Sequence, residues 1–127
     1  MNKKKKWLIF GSIFAAFILA MYFLYYNPNS TPGMYDDFAK CLTEKGVKIY
    51  TAYWCPHCKE QKEMFGTSIK YLNDTECSLP NAAGQNDVCN KAGITGYPTW
   101  ELGNGTQIQG TQTFEELSRL TGCSLLN

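Results

Sequence analysis

The chain has 127 residues, of which 44% are hydrophobic and 18% charged, a balance that leaves room for one folded domain and argues against disorder. The net charge of +1 averages two regions: Lys3–Lys6 form a basic tip, and beyond it eight Lys and Arg face eleven Asp and Glu, a balance of −3. A slightly acidic domain lacks the basic face that phosphate binding needs, so nucleic acid is not expected as a partner.

Trp7 to Tyr26 is twenty residues without a charge. As a helix it would span about 30 Å, the thickness of a bilayer core. The lysines before it belong on the cytoplasmic side, and Tyr22, Tyr25 and Tyr26 suit the far lipid–water interface. The competing reading is a cleaved signal peptide. The apolar run is longer than such a segment needs, and Ile18-Leu19-Ala20 makes a poor cleavage site inside it. The expectation is a single-pass anchor in the cell membrane over residues 7–26, with residues 1–6 in the cytoplasm and the rest outside. Residues 27–33 (NPNSTPG) read as a polar stalk that spaces the domain from lipid, and residues 34–127 as that domain. Asn29, Asn73 and Asn104 each begin an N-x-[ST] triplet, which matters only where exported proteins are glycosylated.

Within the domain, Met34 to Glu44 carries Tyr35, Phe38 and Leu42 at helical spacing and stops at Gly46. Val47 to Tyr53 reads as a strand, Pro56 to Phe65 as a helix with proline in its first turn, and Ile69 to Glu76 as holding a second strand. Ala82–Asn86 reads as loop and Asp87–Ala92 as a short helix. Thr99–Leu102 and Thr106–Gln109 flank Gly103-Asn104-Gly105, a hairpin signal, and Thr113-Phe-Glu-Glu116 is a capping box opening a helix that ends at Gly122.

The chemistry centres on Trp54-Cys55-Pro56-His57-Cys58, where a strand gives way to a helix. A cysteine at a helix N-terminus meets unsatisfied N–H groups and the positive end of the dipole, which favour thiolate over thiol. His57 can add charge or a hydrogen bond, whereas Pro56 removes one N–H donor. The spacing places Cys58 within bridging distance on the first turn. Cys55 is therefore expected as the exposed nucleophile and Cys58 as the resolving thiol, with an oxidising potential. A zinc site is the bland alternative, completed by Cys77, Cys89 or His57; His57 between the two cysteines is poorly placed for it, and no second C-x-x-C exists. No metal and no cofactor are expected. Further on, Gly96-Tyr97-Pro98-Thr99-Trp100 places a proline at the start of a strand, which fits a cis-proline site when combined with the upstream motif.

These residues resemble the thioredoxin superfamily over about residues 34–123. Within it the runs AYWCPHCKEQKEMFG, ECS…VCNKAGITGYPTWEL and GTQTFEELSRLTG are closest to the thioredoxin-like domain associated with bacterial vitamin K epoxide reductase homologues, and the Pro-His pair resembles that of DsbA-type oxidases. The resemblance implies an α/β thioredoxin-like fold with a mixed four-stranded sheet flanked by helices. It implies that Pro98 is cis and faces Cys55, and that Tyr97 offers backbone groups to an extended substrate segment. It also implies a quinone-linked membrane partner like vitamin K epoxide reductase, with cysteine-containing exported proteins as clients. One position departs: where thioredoxins keep a buried acid six residues before the first active cysteine, this chain has Ile49.

Cys77 and Cys89 bracket a loop without an obvious core, where a bridge would contribute about 3 kcal/mol. Cys41 and Cys123 stand near the two ends of the domain. Sequence permits three pairings of these four; 77–89 with 41–123 is the favoured one, and a second redox pair at Cys77/Cys89 is the functional alternative. Trp54, Tyr53, Tyr97 and Trp100 are candidates to line an apolar groove around the active pair, with Trp54 at the surface; the alternative places Trp100 and Tyr53 in the core. The leading function is disulfide donation to exported proteins. The alternatives are an extracytoplasmic reductase or isomerase, and a redox-inactive module that binds clients at Pro98, which would need neither Cys55 nor Cys58.

Overall fold

The computed structural model describes residues 1–25 and 33–125. Tyr26, the stalk from Asn27 to Pro32 with its Asn29 triplet, and residues 126–127 lie outside the described residues. The chain divides into two units, Met1–Pro32 and Gly33–Asn127.

In the first unit α1 runs Lys3–Tyr25, 23 residues long. It is long and apolar enough to cross a membrane, with a mean hydropathy of 2.2 over its most apolar window. The Ser12 hydroxyl donates back to the Ile9 carbonyl at 2.9 Å, so it is satisfied inside the helix as an apolar solvent would require.

In the second unit the elements are α2 (Asp36–Glu44), β1 (Lys48–Thr51), α3 (Pro56–Phe65), β2 (Asn73–Glu76), α4 (Asp87–Lys91), β3 (Thr99–Glu101), β4 (Gln107–Gln109) and α5 (Phe114–Thr121). Their order is the expected one, and most have tighter ends. The first half of the segment read as a second strand is instead a 3₁₀ turn over Gly66–Tyr71. Gly66, at φ +56°, breaks α3 in a conformation that favours glycine. The turn is then held against α2, where the Ser68 hydroxyl accepts the Tyr35 N–H and the Tyr71 carbonyl accepts the Thr43 hydroxyl.

The sheet is mixed, in the order β2-β1-β3-β4. β1 and β2 are parallel, with Ile49 opposite Asp74 and Thr51 opposite Glu76, while β3 runs antiparallel to both β1 and β4. Parallel neighbours need a crossover, and α3 supplies it. In the β3–β4 turn Gly103 lies so close to the Lys45 carbonyl that a Cβ would meet its oxygen at 2.2 Å, so only glycine fits there.

The core gathers Phe38, Leu42, Val47, Ile49, Phe65, Trp100, Phe114 and Leu117. Phe65 is its hub, with ring centroids 4.6 Å from Phe114 and 6.2 Å from both Phe38 and Trp100. Truncating such a residue to alanine costs about 3–5 kcal/mol. This packing fixes α3, and hence its N-terminus, against the sheet.

Cys41 is joined to Cys123, with 5.9 Å between their Cα atoms, and Cys77 to Cys89, with 5.7 Å. The first ties α2 to the chain just after α5. The second closes the loop before α4, where Cys77, Cys89, Tyr50 and Ile94 form a small core of their own.

Candidate active site

The site is built where β1 ends and α3 begins. Cys55 is the N-cap of α3, in extended conformation, and Pro56 opens the helix. Proline suits that place because its missing N–H would have had no partner inside the helix. The Cys58 N–H donates to Cys55 Sγ at 3.2 Å. An N–H and the positive end of the helix dipole thus both meet negative charge arising on that sulfur.

The loop before β3 supplies the opposite wall. The Tyr97–Pro98 peptide bond is cis, and Cys55 Sγ donates to the Tyr97 carbonyl at 3.7 Å. Pro98 itself is buried. The Trp54 and Tyr97 rings meet edge to face at 5.8 Å. Two side-chain bonds hold this pair: Trp54 Nε1 donates to Ser78 Oγ at 2.9 Å, and the Tyr97 hydroxyl donates to Gln85 Oε1.

Two expectations are corrected here. Cys55 is not an exposed nucleophile in the dithiol state, being only 5% accessible, because Tyr97 and the first turn of α3 close over it. His57 does not reach either sulfur with a hydrogen bond. Its Nδ1 faces Glu60 Oε2 at 3.5 Å on the solvent side of α3, one helical turn on, where its ring is 71% exposed. Tyr53 lies at the surface, its hydroxyl accepting the Ala82 N–H at 2.9 Å. Trp54 lies at the surface and Trp100 fully inside.

Cys58 is more enclosed than Cys55, at 2% exposure. Burial, together with the hydrogen bond to Cys55, pushes its thiol up to about 12. The Tyr97 phenol is also raised, first by burial and then by the charge of Glu76. Two cysteines with unlike surroundings are what sequential exchange chemistry can use: one at the mouth, one behind it.

Sequence reading missed the residue that braces this helix. Gln61, fully buried in α3, accepts from Trp100 Nε1 at 3.1 Å and from the Gln112 N–H at 2.7 Å, and its own amide donates to the Gln112 carbonyl at 3.1 Å. Its signal was the helical spacing Cys58, Gln61, Phe65, which places a polar side chain on the inward face. Gln85 was missed as well. Its amide bridges Asn90 and Ile94 while its oxygen faces Tyr97, so it links the Cys77–Cys89 loop to the active-site wall.

Cys77 and Cys89 are both inaccessible. No attacking thiolate reaches that bridge without local opening, and being joined to each other they are not free to complete a zinc site with Cys55 and Cys58. Among the described residues no three His, Cys, Asp or Glu side chains gather where they could hold a metal ion.

Comparison with known proteins agrees with this geometry. The sequence profile of the thioredoxin family matches residues 34–121. The thiol-disulfide oxidoreductase LTO1 of Arabidopsis thaliana is 42% identical over 92 residues, covering 68% of this chain and 24% of that protein. Protein disulfide isomerase-like 2-2 of Oryza sativa subsp. japonica is 31% identical over 101 residues, covering 68% and 26%. The probable protein disulfide-isomerase ER-60 of Schistosoma mansoni is 29% identical over 68 residues, covering 50% and 14%. The chain therefore spans about a quarter or less of the length of each of these relatives.

Proposed function

Because this chain belongs to the thioredoxin family, we propose that it is a membrane-anchored, extracytoplasmic thiol–disulfide oxidoreductase that passes disulfides to exported proteins. The observation that carries the reading is the placement of Cys55 Sγ at the N-cap of α3, bonded to the Cys58 N–H and facing the Tyr97 carbonyl. In the oxidised form a client thiolate attacks Cys55 Sγ, the Cys55–Cys58 bond breaks, and Cys58 leaves with the electron pair and takes up a proton. A second client thiolate then attacks the client sulfur of the mixed disulfide. Cys55 is released as the leaving thiolate, the client holds a disulfide, and the chain holds two thiols.

Trp54, Tyr97 and Pro98 form the surface on which an extended client segment lies, with the Tyr97 carbonyl as a main-chain acceptor. His57, exposed beside Glu60, acts on the approach of clients rather than on the sulfur. The two bridged pairs, Cys41–Cys123 and Cys77–Cys89, are structural. Recharging requires an oxidant. A quinone-linked membrane protein resembling vitamin K epoxide reductase suits an enzyme held at the membrane by α1, with Lys3–Lys6 on the cytoplasmic side.

Incubating the oxidised full chain in detergent micelles with reduced, unfolded ribonuclease tests the reading. Disulfides are expected in the client in step with loss of the Cys55–Cys58 bond; a client that stays reduced would overturn donation. The isomerase names of two relatives favour a second reading. In that case the reduced chain would reactivate scrambled ribonuclease faster than the oxidised chain oxidises the reduced form.

A further inference from the structure

Cys58 cannot attack until its proton leaves, and its surroundings make that departure hard. Cys58 is 2% accessible, and β1, which passes beside it, carries no acid in Lys48–Thr51. An open cleft of about 500 Å³ nevertheless reaches it, lined by Ala52, Tyr53, Lys59, Lys62 and Glu63 with Cys58 itself. Water can therefore approach this thiol from the α3 side.

Lys62 lies one helical turn beyond Cys58, on the same face of α3. Its ammonium is not loose: Nζ is 2.6 Å from Asp74 Oδ2, with the two side chains 32% and 25% exposed. Asp74 is fixed in turn, because its Oδ1 accepts the Thr51 hydroxyl at 2.7 Å and Thr51 is fully buried in β1. A strand, its parallel neighbour and the helix thus hold one cation at the cleft. The other charged groups facing the sulfur do less. Lys59 and Glu63 pair with each other at 3.9 Å with side chains 78% and 67% exposed, where solvent screens them. Cys55 lies at the head of the same helix, and Tyr97 faces the sulfurs from the loop before β3 with its hydroxyl turned to Gln85. Of the charged side chains acting on Cys58, Lys62 is the one that favours its thiolate.

We propose that Lys62, held by Asp74 and Thr51, is the positioning residue that supplies the positive charge against which Cys58 gives up its proton and attacks. In the mixed disulfide between Cys55 and a partner, the Cys58 thiol loses its proton to water in the cleft and its sulfur bonds to Cys55 Sγ. The Cys55–partner bond breaks, and the partner sulfur leaves with the electron pair. The Cys55–Cys58 pair is oxidised by two electrons and the partner disulfide reduced by two. By microscopic reversibility the same charge receives Cys58 when it is the leaving group. The inference rests on the exchange reading above.

The test uses the reduced full chain in detergent micelles mixed with excess 5,5′-dithiobis(2-nitrobenzoate), followed by thionitrobenzoate absorbance from about pH 6 to 9. Attack by Cys55 releases the first equivalent at a rate that depends on reagent. Attack by Cys58 on the mixed disulfide releases the second at a rate that does not. Lys62→Gln and Lys62→Met are expected to slow the second phase about tenfold at a given pH, equivalent to about one pH unit, and to leave the first unchanged. Lys62→Arg keeps the charge and is expected to follow the wild type. Second phases that superimpose for all four proteins, or that slow equally in Lys62→Arg, would overturn the role of the charge. A wild-type chain that releases only one equivalent would instead overturn the exchange reading itself.

Discussion

Cys55 Sγ and the Tyr97 carbonyl oxygen lie 3.7 Å apart although 42 residues separate them in the chain. The contact joins the N-terminal end of α3 to the loop that opens β3, so on the proposed reading a client peptide seated on Tyr97 would bring its own sulfur to Cys55. On that reading, replacing Cys58 removes the resolving thiol and leaves this arrangement in place. Cys58→Ala is therefore expected to accumulate mixed disulfides with clients, visible as reducible adducts on non-reducing gels. Cys55→Ala is expected to give none and to lose exchange activity, whatever Cys58 does.

The thiol of Cys58 is raised from 9.0 to about 12, first by burial and then by the hydrogen bond to Cys55. The sign of the linkage follows. Above about pH 9 the unfolded chain gives up this proton while the folded dithiol keeps it, so the folded state loses stability as pH rises toward 12. The oxidised form has no such thiol. The urea midpoint of the reduced chain is expected to fall relative to that of the oxidised chain as pH rises above about 9 toward 12, the window that linkage sets. Parallel curves would contradict the burial of Cys58.

Gln61→Leu keeps the side chain's bulk but leaves Trp100 Nε1 and the Gln112 backbone without their partner. Orphaning a buried group costs about 1–3 kcal/mol, and Trp100 is fully buried whereas Gln112 is half-buried, so a loss of about 2–4 kcal/mol is expected in denaturant unfolding. Because Gln61 stands one turn beyond Cys58, the same variant is expected to slow resolution by a few-fold as α3 loosens. That is measured as the lifetime of a mixed disulfide at Cys55.

The two bridges close loops of very different length, with separations of 82 and 12 residues. Chain entropy predicts that removing Cys41–Cys123 by paired alanine substitution costs about 4–5 kcal/mol, and removing Cys77–Cys89 about 3 kcal/mol. Urea unfolding of the two double variants checks the order. The second is also expected to slow client exchange, because Gln85 and Ser78, which hold Tyr97 and Trp54, sit in or beside that loop.

Much of this was legible in the chain itself, for physical reasons. A C-x-x-C at a strand-to-helix change, a Tyr-Pro-Thr opening a strand, a Gly-Asn-Gly hairpin and a capping box are local signals. The elements they mark appear at Pro56, Thr99, between β3 and β4, and at Thr113. What stayed hidden depends on register. Lys62 meets Asp74 only because β2 pairs in parallel with β1, putting Asp74 opposite Ile49 and within reach of Thr51. Ile49 marked the lack of an acid on β1, but not the cation that faces Cys58 from α3. The turn at Gly66–Tyr71 was hidden similarly: Ile69 and Tyr71 read as strand residues, yet they pack as the partly buried margin of the core beside α2.

The most direct test of disulfide donation is the reduction potential of the Cys55/Cys58 pair in the full chain, equilibrated in detergent against glutathione buffers. Cys55 Sγ at the head of α3, bonded to the Cys58 N–H, predicts a value of about −120 to −180 mV, in the range of exported oxidants. A value of about −270 mV, that of a cytosolic reductant, would contradict donation and assign the chain to disulfide reduction.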